Sequence, residues 1–239
     1  MGSAFSLTAI GRIKTPFQEK FGIPRQSGLV DVPGVVEMLP GYDKPVLFDG
    51  LEAFSHIWLS FVFHQSVAQG WRERVRPPRL GGNRRKGVFA TRSPFRPNHL
   101  GLSVVRLEQI QVEEGRVRLH VRGADLLDGT PVVDIKPYLP YVDAIADATG
   151  GFAPHAPATR LQAVFSDRAR GQLRVLPGGG ELHRLIEQLV TLDPRPAYRK
   201  EGDEKRVYGM RLAGYNVRWQ VSEKWATVLS IETDEPSWP

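Results

Sequence analysis

Short runs of β-branched and aromatic residues, with no long amphipathic helix between them, restrict the fold of residues 1 to about 145 more than any other feature. Turn-forming residues separate the runs, and residues 116–121 alternate polar and apolar side chains with the period of two of a half-buried strand. Their regular spacing predicts a mainly β barrel or sandwich. The predicted strands cover residues 5–13, 54–63, 87–91, 102–110, 116–121 and 132–135.

Motifs of the common nucleotide-binding folds are missing from the sequence. A doubly wound fold needs alternating strands and helices and a G-x-G-x-x-G turn after a strand, whereas Gly178-Gly179-Gly180 has no buried strand before it. A Walker phosphate loop and a complete G-x-S-x-G nucleophile elbow are also lacking. The chain contains no cysteine, which excludes disulfides, thiolate nucleophiles and iron–sulfur clusters. A Rossmann-type enzyme, an NTPase and a serine hydrolase are therefore not expected.

A change in composition at residues 148–158 predicts a linker between two domains. This segment is rich in Gly, Pro and Ala and has no periodicity. The predicted units are an N-terminal β domain over residues 1–147 and a smaller α+β domain over residues 159–239. In the second unit we expect strands at 161–165, 207–212, 217–221 and 226–231, and helices at 166–175 and 181–192.

Positive charge is concentrated in residues 72–96, which carry nine basic residues and one acid, a net +8. Because the whole chain carries +6, the remainder sums to −2. A local excess is typical of a surface that meets phosphate, although a solvated basic loop is the simpler alternative. The cations are mostly arginines, and Pro77-Pro78, Gly81-Gly82 and Gly87 interrupt them, which favours a loop that faces RNA over a helix.

Neither a metal site nor a membrane span is predicted. The six histidines form no H-x-H or H-E-x-x-H pattern, and His56 and His64 taken alone are more simply read as hydrogen-bonded structural residues. The longest apolar run, around residues 57–63, is much shorter than the roughly 20 residues of a membrane helix. We therefore expect a cytoplasmic protein without a resident metal.

Several polar segments combine rigid Pro or Gly residues with hydrogen-bonding side chains, as small-molecule sites do. They include residues 22–26, 64–65, 89–98 and 125–131. Simple turns would also explain parts of them, and Asp128-Gly129 alone would be read as a hairpin turn. In the second domain, residues 193–200 combine prolines, an aromatic and three cations, and can be read equally as a site or as a linker.

Taken together and in order, these segments resemble the TrmO (TsaA-like or YaeB-like) family of S-adenosylmethionine-dependent tRNA methyltransferases. The resemblance extends over nearly the whole chain, and the second domain resembles that of the bacterial two-domain members. The sequence departs from the family pattern at His99-Leu100, where a Pro-Ile pair is usual. The motifs are Pro24-Arg25-Gln26, Gly50-Leu51-Glu52-Ala53-Phe54-Ser55-His56, Phe61-Val62-Phe63-His64-Gln65, Arg76-Pro77-Pro78-Arg79-Leu80-Gly81-Gly82-Asn83, Thr91-Arg92-Ser93, Arg96-Pro97-Asn98, Asp128-Gly129-Thr130-Pro131-Val132-Val133-Asp134-Ile135-Lys136-Pro137-Tyr138, Asp193-Pro194-Arg195-Pro196-Ala197-Tyr198-Arg199 and Asn216-Val217-Arg218-Trp219.

The resemblance implies a single-sheet β-barrel, not a Rossmann fold, that transfers a methyl group to N6 of threonylcarbamoyladenosine. This base lies at position 37, next to the anticodon of threonine tRNAs. The resemblance also implies a homodimer with S-adenosylmethionine bound near its interface. The cofactor-binding residues implied in this way are Pro24, Arg25, Gln26, His64, Gln65, Arg92, Leu126, Leu127, Asp128 and Gly129.

Candidates for catalysis and for tRNA binding follow from the same motifs and from the basic stretch. Asp128, Asp134 and Tyr198 are the candidate catalytic residues, with Asp193 as a further candidate base. A non-catalytic RNA-binding barrel remains an alternative, as does a methyltransferase that acts on a small molecule or on another RNA base. The candidate residues for binding the anticodon stem–loop are Arg76, Arg79, Arg84, Arg85, Lys86, Arg96, Arg195, Tyr198 and Arg199.

Overall fold

The N-terminal part of the chain forms a closed six-stranded barrel in the computed structural model, which describes residues 4–157, 161–195 and 206–234. The strands pair antiparallel in the order β1-β2-β7-β6-β3-β8, and β8 closes on β1. The barrel strands are β1 (Gly11–Lys14), β2 (Pro33–Met38), β3 (His56–Val62), β6 (Leu100–Glu113), β7 (Arg116–Arg122) and β8 (Thr130–Pro137).

Alternation along the strands fills the barrel interior with apolar side chains. In β7, Val117, Leu119 and Val121 are buried, while the residues between them face outward. Ile57, Leu59 and Phe61 of β3 enter the same core. Gly101 on β6 leaves the space that the Phe61 ring occupies, since a Cβ at this position would lie 2.3 Å from the ring. The runs left a barrel and a sandwich open, and the barrel that the family resemblance implies is confirmed.

The C-terminal part is a four-stranded sheet in the order β10-β11-β12-β9, with β9 parallel to β12. The elements α2 and α3 pack on this sheet and on each other. The α+β class is confirmed. The elements are β9 (Gln162–Phe165), α2 (Asp167–Val175), α3 (Gly179–Thr191), β10 (Val207–Leu212), β11 (Tyr215–Ser222) and β12 (Trp225–Thr233), and a short helix α1 (Pro140–Asp143) follows the barrel.

Two expectations for local structure are wrong. The predicted strand at 87–91 is instead a 3₁₀ turn at Val88–Ala90, preceded by a two-residue ladder between β4 (Arg74–Val75) and β5 (Lys86–Gly87). The predicted strand at 5–13 begins only at Gly11. The second strand, β2, was not predicted, because it opens with Pro33-Gly34 and reads as a turn.

The segment between β1 and β2 belongs to the core of the second sheet rather than to the barrel interior. Phe17, Val30 and Val32 are buried in one hydrophobic cluster with Leu212 and Trp219. Phe17 bridges to Leu212, and the Ala213 amide donates to the Pro16 carbonyl at 2.8 Å. Residues 15–32 therefore connect the barrel to the sheet through side-chain packing as well as through the chain.

We expect Phe17→Ala to lower the free energy of unfolding by about 3–5 kcal/mol, because the Phe17 ring is fully buried and its removal leaves a cavity in the core. Phe5→Ala is the matched control, since Phe5 is 88% exposed and its loss should change stability little. Urea unfolding followed by tryptophan fluorescence measures both variants. Equal stability of the two variants would contradict a shared core.

Candidate active site between the barrel and the sheet

A large cleft of about 1950 Å³ lies where the basic stretch, the segment around residues 20–29 and the end of α3 meet. Residues 150–157 of the predicted linker form a further wall. Arg79 donates to the carbonyl of His155 across the cleft, which joins the basic stretch to that wall. The cleft therefore draws its lining from four separate parts of the chain.

The cleft is strongly cationic. Asp193, which is buried, is the only acidic residue among the described residues that line the cleft. Such a surface attracts a polyanion and focuses its field into a concave site. Arg72 also lies over the Phe95 ring, with the guanidinium carbon 4.2 Å from the ring centroid, which holds the arginine at the wall. The cationic lining residues are Lys20, Arg25, Arg72, Arg74, Arg76, Arg79, Arg85 and Arg92.

The two-residue β4–β5 ladder and two short 3₁₀ turns give the basic stretch a defined backbone, as expected for a loop rather than an α-helix. Arg76, Arg79 and Arg85 line the cleft, whereas Arg84 and Lys86 are exposed beside it. Arg96 is partly buried and donates to the Thr91 carbonyl at 3.0 Å. The tRNA contacts predicted for these residues stay predictions.

Of the predicted cofactor residues, Pro24, Arg25, Gln26 and Arg92 lie together on the cleft wall. Arg92 donates to the side-chain oxygen of Gln26. Pro24 is buried behind this pair, which fixes the backbone that carries it. The structure thus brings together two segments that are more than sixty residues apart in sequence.

His64 and Gln65 lie at the end of β3, outside the cleft lining. Lys20 connects them to the cleft, because its ammonium reaches the Gln65 carbonyl and the Ser66 hydroxyl, each at 3.5 Å. Burial lowers the pKa of His64, and the nearby charges of Arg12 and Lys20 lower it further. His64 therefore favours the neutral form, which can accept a hydrogen bond from a ligand.

The turn formed by Leu126, Leu127, Asp128 and Gly129 is tightly bound to β1 and to the residues after it. The Leu126 and Leu127 side chains are buried, so only their backbone could contact a ligand. Asp128 accepts a hydrogen bond from the Thr15 amide at 3.0 Å, which gives this carboxylate a structural partner. Gly129 has φ +72°, a conformation that favours glycine. The turn connects β7 to β8, which do not pair, so it is not a hairpin.

Of the remaining predicted residues, Asp134 and Arg195 lie on different parts of the described chain. Asp134 is exposed on β8 opposite Ser60, on the outer face of the barrel. Tyr198 and Arg199 lie outside the described residues.

Arg195 is buried and makes a two-point contact with Asp193, at 2.8 and 3.2 Å. Burial alone would lower the pKa of Arg195, but the hydrogen bond and charge of Asp193 raise it. A phosphate could reach this guanidinium only by competing with Asp193.

Asp125 is a candidate that the sequence analysis did not single out. Its carboxylate accepts a hydrogen bond of 2.7 Å from Ser103, and the amide of Ser27 and the charge of Arg92 also face it. Burial raises the pKa of Asp125 despite these favourable contacts. A desolvated carboxylate directly behind a site wall is a common sign of function. Only the tertiary fold brings it to Arg92 and to the loop that carries Gln26.

The described residues hold neither a metal cluster nor a membrane span. No three His, Cys, Asp or Glu side chains in this part of the chain are grouped as a metal ion would require. Within the same ranges, no helix is both long and apolar enough to cross a membrane.

Comparison with known proteins places this chain in one class, that of the tRNA methyltransferases. The family model of the tRNA-methyltransferase O N-terminal domain matches residues 12–144, and that of the TrmO C-terminal domain matches residues 158–234. The chain therefore belongs to the tRNA-methyltransferase O family.

Individual relatives match along nearly their whole length. The chain is 45% identical to the tRNA (adenine(37)-N6)-methyltransferase of Escherichia coli strain K12, over 96% of this chain and 99% of that protein. It is 49% identical to a putative S-adenosylmethionine-dependent methyltransferase, RcsF, of Pseudomonas aeruginosa, over 90% of this chain and 91% of that protein. The crystal structure of TrmO from P. aeruginosa superposes with a TM-score of 0.79 at 40% identity, over 98% of this chain and 99% of that one.

We expect Asp125→Asn to make the protein as stable as the wild type or more stable at neutral pH. A raised pKa in the folded state means that the ionised carboxylate destabilises the fold, and that this penalty grows as the pH rises from about 4 through the raised pKa. The gain should therefore shrink as the pH falls towards 4. Urea unfolding at several pH values measures it, with Asp147→Asn, an exposed site, as the control. A variant that is equally destabilised at every pH would contradict the assignment.

Proposed function

We propose that this protein transfers a methyl group from S-adenosylmethionine to N6 of threonylcarbamoyladenosine at position 37 of threonine tRNAs. The observation that carries the proposal is the cationic cleft beside the Gln26–Arg92 pair. It occurs in a chain that matches the tRNA (adenine(37)-N6)-methyltransferase of E. coli almost end to end. The threonylcarbamoyl group and the threonine tRNAs come from the family resemblance. On the same basis we propose that residues 1–147 carry the cofactor and that residues 159–239 assist tRNA binding.

The residues around Gln26 and Arg92 fit the chemistry of S-adenosylmethionine. Its carboxylate needs a cation, which Arg92 and Lys20 offer, and its adenine and amino groups need the hydrogen-bonding partners that Gln26 and neutral His64 supply. Backbone groups of the turn at Leu126, Leu127, Asp128 and Gly129 complete the proposed site. We propose that these residues, with Pro24, Arg25 and Gln65, hold the cofactor, and that a second copy of the chain completes the site in a homodimer.

When bound, S-adenosylmethionine supplies an activated methyl group, so the residues of this chain mainly position the acceptor and exclude water. The acceptor nitrogen is conjugated to a carbonyl, which makes it a weak nucleophile with a relatively acidic N–H. A group that accepts this proton would assist the transfer. Asp128, Asp134 and Tyr198 remain the proposed candidates for this group, and Asp193 is a further candidate. The Asp128 carboxylate already accepts a hydrogen bond from the Thr15 amide, which fixes its orientation.

Incubation of this protein with S-adenosylmethionine and threonine tRNA that carries threonylcarbamoyladenosine should add one methyl group to that nucleoside. Digestion of the tRNA and mass analysis of the nucleosides measures the gain. The matched control is the same tRNA without the threonylcarbamoyl group, which should stay unmodified. Methylation of the control, or no methylation of either tRNA despite cofactor binding, would point to another acceptor.

The double variant Arg84→Glu with Arg85→Glu should weaken tRNA binding and flatten its dependence on salt, because it removes contacts to phosphate. Loss of two phosphate contacts should lower the slope of log K against log salt by about 2. Affinity for S-adenosylmethionine should hardly change, because Gln26 and Arg92 are intact. Filter binding at several salt concentrations and calorimetry measure the two affinities.

The double variant Arg116→Glu with Arg174→Glu changes the net charge equally at exposed positions outside the cleft lining. This control should bind tRNA more tightly than the cleft variant does. Equal loss of tRNA and cofactor affinity in the Arg84/Arg85 variant would refute the division into a tRNA surface and a cofactor site.

A further inference from the structure

Phe89 is an exposed aromatic residue in the cationic cleft. Its side chain is 77% exposed and belongs to the cleft lining, between the arginines at 85 and 92 in sequence. A phenylalanine ring is normally buried, and its exposure to water is unfavourable. An exposed ring in a concave, charged site is therefore suited to a ligand that covers it.

The backbone holds Phe89 in this exposed position. Val88, the preceding residue, is buried, and its amide donates to the Glu73 carbonyl at 2.9 Å. On the other side, the Thr91 amide and hydroxyl both donate to the Val88 carbonyl, at 3.1 and 2.8 Å. The 3₁₀ turn at Val88–Ala90 thus anchors one side chain in the interior and directs the next into the cleft. A backbone held in this way loses little conformational entropy when a ligand covers the ring.

The surrounding charge identifies the kind of ligand. A hydrophobic protein partner would meet a cluster of arginines here and would have to desolvate them. A nucleic-acid strand, in contrast, presents flat bases for the ring and phosphates for the cations. The cations within the same lining include Arg72, Arg74 and Arg85.

We propose that Phe89 stacks on an unpaired base of the tRNA anticodon loop while the neighbouring arginines bind the flanking phosphates. This inference rests on the proposed function and adds to it the residue that holds a loop base. Stacking is tolerant of base identity, so Phe89 contributes affinity and position for the loop rather than sequence readout.

The test compares Phe89→Leu, which removes the ring but stays apolar, with Phe89→Tyr, which keeps it. The probe is a synthetic anticodon stem–loop of a threonine tRNA, and binding is followed by fluorescence anisotropy. Phe89→Leu should weaken binding about 5- to 100-fold, whereas Phe89→Tyr should restore near-wild-type affinity. The slope of log K against log salt should stay unchanged in both variants, because no phosphate contact is lost. Phe5→Leu, the same substitution at an exposed site outside the cleft lining, is the control.

A second measurement locates the base. In a series of stem–loops, each carries one abasic nucleotide at a different loop position. For one of them, wild type and Phe89→Leu should bind equally well, since the base that Phe89 stacks on is already missing. Calorimetry with S-adenosylhomocysteine should show the same affinity for both proteins. The proposal is overturned if Phe89→Leu binds the intact stem–loop like the wild type, if no abasic position abolishes the difference, or if the loss falls on S-adenosylhomocysteine instead.

Failure of the proposal can be distinguished from failure of the proposed function. Binding of the stem–loop does not require methyl transfer, so a Phe89 effect on binding is measurable even if the methyl acceptor is a different base. Conversely, a wild-type protein that methylates threonylcarbamoyladenosine, together with an unaffected Phe89→Leu variant, would reject the stacking residue and keep the function.

Discussion

The packing of the segment after β1 into the core of the C-terminal sheet is the contact on which the candidate site depends. Phe17, Val30 and Val32 fill that core, while β1 and β2, on either side of the segment, belong to the barrel. The residues between Phe17 and Val30 are therefore held against the sheet at both ends, and they include Arg25 and Gln26. If the barrel and the sheet were joined only by a linker, the walls of the cleft could move apart. The shared core fixes the positions of these walls relative to each other.

Charge at the cleft has a cost that the structure offsets locally. Eight cationic residues of the described part of the chain line this cleft, and their mutual repulsion opposes folding. The charge of Arg92 attracts the Asp125 carboxylate, which opposes part of this repulsion, although burial of that carboxylate outweighs the attraction and raises its pKa. The Arg72–Phe95 contact stabilises another cation without using an acid. The open face of the cleft thus stays positive, as binding to a phosphate backbone requires.

The parts of the fold that the sequence predicted are those in which local pattern and tertiary burial agree. The alternation in β7 and the short strand pattern of β10 were sufficient, because each strand buries one face against a single core. Residues 87–91 misled the prediction, since Val88 and Phe89 are typical strand residues but form a 3₁₀ turn, and the ladder before them ends at Gly87. The element β2 was missed because Pro and Gly at its start conceal a strand whose partners, β1 and β7, are not evident from local sequence.

The features of the candidate site also differ in whether local sequence could predict them. The clustering of arginines and the motif around Gln26 are properties of short segments, so the sequence could predict them. The Arg92–Gln26 contact, the burial of Asp125 and the exposure of Phe89 arise only when distant segments meet. For Arg195 the sequence suggested a role that the fold does not favour. It was predicted to be a cation that binds tRNA, whereas the structure buries it in an ion pair with Asp193. Truncating either partner of such a buried pair leaves an uncompensated charge, which costs about 3–5 kcal/mol. A loss of activity on mutation of Arg195 is therefore informative about tRNA only when the stability of the variant is measured alongside it.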